Sequence, residues 1–513
     1  MEMILISLCL ATLLAFLFLK RTTTTKLNPP PSPWHLPIIG NFHQLSLYPH
    51  RSFRSLSLRY GPVMLLHFGR VPVLVVSSAE VAHDIMKTHD RIFANRPITK
   101  AMEKVMKGGR DIVFAPYGEY WRNMKKKVFG FSISLHNCFP SITVLKSVKS
   151  LNPSPPLSLC THNLSHDFQC MPLVLPPGLH QNRATAFVSF LTVAFGNRYT
   201  DITLFGRTVI TDLIITSFPP LVKNRNVQPF TLLFRRYFIK IIDDGKHEFI
   251  NLISTTFDDF LEKVVQEHDV DADKKGSDFV ATLLSIQREK MTPFVFDRSD
   301  IKLIILDMFI AGTATTSSQL EWTMTELMRH PECMKKLRDE ICSVSTHNSY
   351  VNEDDVEKLS YLNAVIKETL RLHPPLPALV PHLLSEDVRV KGYDIAAGTQ
   401  VMINAWAIQR DHATWGPDAE EFKPERHLNS SLDFQGQDFK FIPFGSGRRL
   451  CPGIRLGLVL VEVTIANLVK RFDWRVQVGP DGVDKPDLAE AAGIEACRKY
   501  PLIVFPSSVV FPI

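Results

Sequence analysis

Eleven consecutive residues carry the densest chemical signal in this 513-residue chain: Pro443-Phe444-Gly445-Ser446-Gly447-Arg448-Arg449-Leu450-Cys451-Pro452-Gly453. Two glycines before the cysteine and one after it let a backbone loop press flat against something large. Pro452 suits the first position of a helix, so a helix is predicted over Pro452–Lys470 with Cys451 at its start. A helix N-terminus favours thiolate over thiol, and Arg449 adds positive charge two residues away. A lone thiolate under a glycine-lined loop suits one axial bond to a metal, and haem iron is the natural candidate. An ordinary buried cysteine in a Gly-rich turn is the competing reading of the spacing alone. A phosphate-binding loop is a weaker rival, because neither G-x-G-x-x-G nor G-K-[ST] occurs here.

Three further stretches line up with this one along the chain: Ala311-Gly312-Thr313-Ala314-Thr315-Thr316, Glu368-Thr369-Leu370-Arg371 and Pro424-Glu425-Arg426-His427. Phe444-x-x-Gly447-x-Arg449-x-Cys451-x-Gly453 matches the haem-thiolate signature at every defining position, and on it the chain resembles the cytochrome P-450 family. The other three are similar to that family's oxygen-binding helix, its ExxR helix and its PERF segment, with His427 where PERF has Phe. Ala115-Pro116-Tyr117-Gly118-Glu119-Tyr120-Trp121-Arg122 is similar to a run common in plant members, which points to the plant microsomal A-type branch.

The resemblance implies roles position by position. Cys451 is the proximal thiolate of haem b iron. Arg449 pairs with a haem propionate, and Trp121 with Lys125, resembling the family's WxxxR pair, does the same. Phe444, Gly447 and Gly453 shape the loop beneath the haem. Glu368, Arg371 and Arg426 form a buried ionic cluster that is structural. Gly312 leaves room for O2, and Thr315 hydrogen-bonds it and steadies a proton-delivering water. Ala314 stands where the family usually has Asp or Glu, so a carboxylate able to relay protons is missing.

These residues need elements to hold them. Val63–Phe68 and Val71–Ser77 read as strands of a hairpin turning at Gly69-Arg70, and Ser78–Thr88 as a helix capped by Ser77 or Ser78. Ser299–His330 reads as the longest helix, ended by Pro331, and its first half is apolar almost all round. Asp300, Lys302 and Asp307 within it favour a buried central helix over a membrane span. Helices are predicted over Glu332–Val344 and Tyr361–His373, and short strands near Val388–Val390 and Gln400–Ile403. The fold class that follows from the resemblance is mainly α with small β-sheets, the cytochrome P-450 fold, behind a single N-terminal transmembrane helix.

Met3 to Leu19 is an uninterrupted run of 17 apolar or small residues followed by Lys20 and Arg21. At about 1.5 Å per residue this is the short end of a spanning helix. A cleaved signal peptide would put its basic residues first. Residues 1–21 are therefore expected to anchor the chain, with the body on the cytosolic side by the positive-inside rule. Residues 22–33, with Pro29, Pro30, Pro31 and Pro33, read as a stiff hinge, and 34–513 as the catalytic domain. Together with the resemblance this predicts a single-pass protein of the endoplasmic reticulum membrane. The sequons at Asn163 and Asn429 should then be unused.

Composition fits a globular body: 45% hydrophobic, 21% charged, and a net charge of +6 that implies no nucleic-acid role. The eight cysteines are scattered without a C-x-x-C pair, which fits a reducing compartment and excludes a disulfide scaffold. The stretch of about 125–234 departs from the family's pattern. Between Gly130 and Thr200 only Lys146, Lys149, Asp167, Arg183 and Arg198 are charged, too few for a solvated helix face, while prolines abound. A shifted reading frame or retained intron is one explanation, and genuine divergence the other.

The leading function is a haem-thiolate monooxygenase that inserts one oxygen atom of O2 into a lipophilic small molecule in plant specialised metabolism. Its electrons would come from NADPH through a membrane-bound NADPH-cytochrome P-450 reductase, docking on a basic face that includes Lys126, Lys127, Lys440 and Arg448. A second reading is a haem-binding isomerase or dehydratase that needs no proton relay, and Ala314 supports it. A third is an inactive product of a defective gene model, supported by the charge-poor stretch.

Overall fold

The computed structural model describes residues 28–127, 251–269 save 252, 253 and 256, 279–345 save 293, 350–476, and 485–508 save 501 and 503. The expected anchor at 1–21 and most of the stretch of 125–234 lie outside these residues.

Helices dominate, and the strands gather into small sheets. Helix α1 (Pro49–Tyr60) precedes strands β1 (Val63–Phe68) and β2 (Val71–Val76), which form the predicted hairpin with Phe68 opposite Val71. Val73, Leu74, Val75 and Val76 are all fully buried, so β2 is covered on both faces. It runs parallel to β6 (Gln400–Ile403), which in turn pairs with β3 (His382–Leu383). The strands β4 (Val388–Val390) and β5 (Tyr393–Ile395) form a separate ribbon. β7 (Phe472–Val476) and β8 (Val504–Ser508) form another. Ser78 caps α2 (Ala79–His83), its side chain accepting from Val81 N at 3.3 Å, and a wider turn over Asp84–Thr88 continues it. Then come α3 (Lys100–Val105), α4 (119–127), α5 (257–269) and α6 (Phe279–Arg288).

The central element is α7 (Arg298–Arg329), one residue earlier at each end than predicted. Asp297 starts it by a capping box: its carboxylate accepts from Asp300 N at 2.9 Å, and the Asp300 carboxylate from Asp297 N at 3.0 Å. His330 ends it, and Pro331 opens α8 (Pro331–Val344) at the position where a missing N–H costs nothing. Ile301, Ile304 and Ile305 are fully buried, each contributing about 1.5–3 kcal/mol. Two buried charges near the start of α7 are paired. Asp300 takes Arg110 at 2.8 Å and the Tyr120 hydroxyl at 2.9 Å, and Lys302 takes Asp258 at 2.7 Å and Glu262 at 3.1 Å. α7 is the one described helix long and apolar enough to cross a membrane, and most of it is buried in the body, as a core helix would be.

Against α7 pack α9 (Ser360–Leu372) and α10 (Ile454–Arg471), sharing a core of Leu327, Leu362, Ile366 and Ile465. Helix α10 starts two residues later than predicted, at Ile454 with Gly453 as its N-cap, leaving Cys451 in the turn ahead of it.

Candidate active site

The cysteine loop is shaped by its glycines. Gly445 and Gly447 have φ of 73° and 65°, which L side chains rarely adopt. A Cβ on Gly447 would lie 2.2 Å from the Met86 carbonyl oxygen, so the loop packs directly against backbone there. Cys451 N donates to Phe444 O at 3.1 Å and closes the loop. The Phe444 ring meets Phe434 edge-on at 6.0 Å. A Cβ on Gly453 or Gly457 would meet nothing within 4 Å, and both residues face a cavity of about 270 Å³.

Cys451 lines that cavity as a free thiol. Cys451 is half-buried, and burial pushes its pKa up, against smaller downward pulls from Gly453 N–H and Lys125. The sequence set a helix N-terminus and Arg449 beside this thiol. The helix begins beyond the cysteine, and Lys125 rather than Arg449 is the cation that acts on it.

One face of α7 also lines the cavity. Met308, Ala311, Gly312, Thr315, Thr316 and Gln319 line the cavity at the 3–4 residue spacing of a helix face, while Thr313 and Ala314 do not. Thr315 Oγ1 donates to Ala311 O at 2.6 Å, and Thr313 Oγ1 to Phe309 O at 2.7 Å. Most of the remaining lining is apolar, including Ile112, Val113, Leu376, Leu379 and Val380.

The polar end is cationic. Arg449 is cradled by carbonyls: Nε donates to Ala94 O at 2.6 Å, Nη1 to Ile112 O at 3.2 Å and Val113 O at 3.4 Å, and Nη2 to Ala115 O. Its guanidinium stacks over Trp121 at 4.4 Å, and burial lowers its pKa to about 10. The Trp121 indole N–H donates to Ile112 O at 2.9 Å. Lys125 Nζ lies 5.0 Å from the centre of that ring and donates to Arg448 O, with burial pulling its pKa to about 8. Trp121, Lys125 and Arg449 thus come together as one stack. Two members were missed by sequence reasoning. Arg96 lines the cavity with a buried Nε that has no partner among the described residues, its Nη1 bonding only to the Val380 and Pro381 carbonyls. Burial and then Arg449 lower its pKa to about 9. His382 also lines the cavity, its Nδ1 against Phe93 O at 2.8 Å, and burial, Arg96 and Arg449 hold it neutral. A lone Arg before Pro97 and a lone His carry no spacing signal, so only the fold reveals them.

These residues fit a haem. Two half-buried guanidiniums, a lysine and an indole gather in an otherwise apolar cavity, and the unfilled donor on Arg96 calls for an anion such as a propionate. The single thiol at the wall would offer a ligand to its iron, and the bare Gly453 and Gly457 leave space beside it. Among the described residues no group of three or more His, Cys, Asp or Glu could hold a metal ion by protein ligands alone.

Behind the loop lies the ionic cluster. Glu368 accepts from Arg371 Nε at 2.7 Å and Nη2 at 2.8 Å, from Arg426 Nε at 2.9 Å and from Lys423 N at 2.9 Å. His427 Nε2 joins it at 2.9 Å, a role not foreseen from its place in the PERF-like segment. Arg371 also donates to the carbonyls of Gln409, Ala419 and Glu421, tying α9 to the loop-rich stretch before Cys451. Of the expected docking cations, Arg448 is committed to Asp90 at 2.8 Å and Tyr117 at 3.0 Å, and Lys440 to Asp438 at 3.0 Å.

A family model described as cytochrome P-450 matches residues 29–131 and 191–494. Cytochrome P-450 71A16 of Arabidopsis thaliana is 54% identical over 510 residues, spanning 99% of each chain. Indoleacetaldoxime dehydratase of the same plant is 54% identical over 528 residues, spanning 99% of this chain and 100% of its own. In fold, a zebra fish cytochrome P-450 structure with abiraterone superposes at a TM-score of 0.69 and 23% identity, over 90% of this chain and all of that one. With the thiol loop, the ExxR cluster and relatives aligned along almost its full length, this chain belongs to the cytochrome P-450 family of enzymes.

Proposed function

We propose that the chain is a haem-thiolate monooxygenase acting on a lipophilic small molecule, with Cys451 as the ligand of the iron. The observation that carries this reading is one cavity lined by the Cys451 thiol, the Gly312–Thr315 face of α7, and a cationic cluster with an unfilled donor on Arg96. Arg449, Arg96 and Lys125 would receive the propionates, Trp121 would support Arg449 and Lys125 through its ring face, and the Phe444–Gly453 loop would present Cys451 to the iron. When bound, the haem supplies activation of O2, for RH + O2 + two electrons + two protons giving ROH and water.

The chain's own residues then bind, exclude water and move a proton. Ile112, Val113, Met308, Leu376 and Leu379 offer an apolar surface that favours a lipophilic substrate and expels water. The one proton of Thr315 is spent on the Ala311 carbonyl, so its free lone pairs can accept from a water in the cavity. Gly312 has no side chain to displace that water. Ala314 leaves no carboxylate to resupply the proton, so delivery rests on Thr315 and water. Electrons from NADPH through a membrane-bound reductase, and anchorage of residues 1–21 in the endoplasmic reticulum with the body in the cytosol, complete the proposal.

A second reading has specific support. One relative is named an indoleacetaldoxime dehydratase, and loss of water from an aldoxime to give a nitrile consumes no net electrons. The absent carboxylate at Ala314 is no handicap to such a reaction. NADPH consumption separates the two. A monooxygenase consumes NADPH and O2 in step with product, while a dehydratase forms product with no stoichiometric NADPH use. Product formed without O2 would remove the monooxygenase reading.

A further inference from the structure

Two carboxyl groups lie where the cavity helix meets the loop that cradles Arg449, and neither belongs to the proposed haem contacts. Asp307 of α7 is 7% exposed and lines the cavity, and Asp111 is 1% exposed. Asp307 Oδ2 accepts from Ile112 N at 2.7 Å. Asp111 Oδ2 accepts from Val113 N at 3.1 Å and Phe114 N at 2.9 Å. The two side chains are in hydrogen-bonding contact with each other, yet Asp111 Oδ1 finds no donor among the described residues. Two carboxylates have only acceptors between them, so a proton must bridge the contact.

We infer that Asp111 and Asp307 share one proton and act as a positioning latch, fixing residues 111–115 to α7 so that their carbonyls hold Arg449 and Trp121 in place. The physical chain is short. Asp307 fixes Ile112 N, the Ile112 carbonyl accepts from both Arg449 and Trp121, and the Val113 and Ala115 carbonyls accept from the Arg449 Nη1 and Nη2 groups. Arg449 is the cation that faces Asp111, and Asp111 is the charge that faces Asp307. Arg110, Asp300 and Tyr120 satisfy one another about two turns earlier along α7. Burial, and then its neighbour Asp111, hold Asp307 well above the usual carboxylate range, and burial pushes Asp111 up to about 6. The folded state therefore binds more protons than the unfolded one, and the latch weakens as pH rises through the folded values. The consequence for haem rests on the proposal that Arg449 receives a propionate; the shared proton does not.

Infrared difference spectroscopy of the parent against Asp307→Asn at pH 7 tests it. Asparagine can accept from Ile112 N and donate to Asp111, so it mimics the protonated acid. The expected result is loss of one protonated-carboxyl stretch, seen with or without haem. Loss of a carboxylate stretch instead overturns the proposal. Should Asp307→Asn fail to fold, Asp111→Asn serves equally, since its amide supplies the missing donor and must also remove the protonated-carboxyl stretch. In haem-loaded protein, haem dissociation from the parent should accelerate by up to about tenfold per pH unit once the bridging proton is lost, while Asp307→Asn stays flat. Parallel pH profiles overturn the latch. A parent with the carboxyl stretch but no haem uptake keeps the latch and removes the haem reading. Haem uptake without that stretch removes the latch alone.

Discussion

Replacing Glu368 by Gln tests the cluster that supports the cysteine loop. The carboxylate is fully buried beside a fully buried Arg371, and side-chain and backbone donors surround it. Burial alone would raise its pKa, but Arg371 and His427 outweigh burial and bring it from 4.5 down to about 2. At about 1.36 kcal/mol per unit, a shift of that size corresponds to roughly 3 kcal/mol. Breaking a buried ion pair by removing one partner costs about 3–5 kcal/mol, which agrees. Burial keeps His427 neutral, so its Nε2–H bond to Glu368 is that of a neutral donor and adds less than the arginines. Glu368→Gln is therefore expected to lose about 3 kcal/mol at pH 7. The folded pKa lies below the unfolded one, so the stabilisation is complete above about pH 4.5 and disappears as pH falls through about 2. Denaturant titration of parent and variant at pH 7, 5 and 3 measures the difference. A gap at pH 7 that closes toward pH 3 is expected. A variant as stable as the parent at pH 7, or a gap independent of pH, refutes the reasoning.

Other outcomes follow from the same geometry. Gly447→Ala should abolish haem incorporation, because its φ alone costs about 1–3 kcal/mol and the new Cβ would meet the Met86 carbonyl at 2.2 Å; absorbance of the purified variant checks this. Gly453→Ala should fold normally, since its Cβ meets nothing, yet take up less haem, as thermal unfolding and haem content will show. Thr315→Ala should lower product per NADPH and raise hydrogen peroxide release, whereas Thr313→Ala, off the cavity face, should leave both unchanged. Protease added to intact microsomes should digest the body, and exposed Asn429 should carry no glycan, as an endoglycosidase shift assay reports.

Much of the site was legible because its chemistry is local in sequence. The loop around Cys451, the Glu368/Arg371 pair and the Gly312/Thr315 face each depend on spacings within one or two helical turns. The β1–β2 hairpin was legible for the same reason, with Gly69-Arg70 marking its turn. Arg96, His382 and the Asp111–Asp307 contact were not, because each is completed by backbone or side chains far away in the chain. His427 stood out only as a departure from PERF, and its partner Glu368 lies 59 residues earlier. Lys125 as the cation acting on Cys451 was not legible either, because it lies far earlier in the chain.

The central claim, that Cys451 is the sole protein ligand of a haem iron, is tested most directly by the reduced carbon monoxide difference spectrum of the parent and of Cys451→Ala. The account predicts the absorption band that gives the family its name in the parent, and its loss in the variant. An unchanged band in Cys451→Ala, or a parent that folds but takes up no haem, would contradict it.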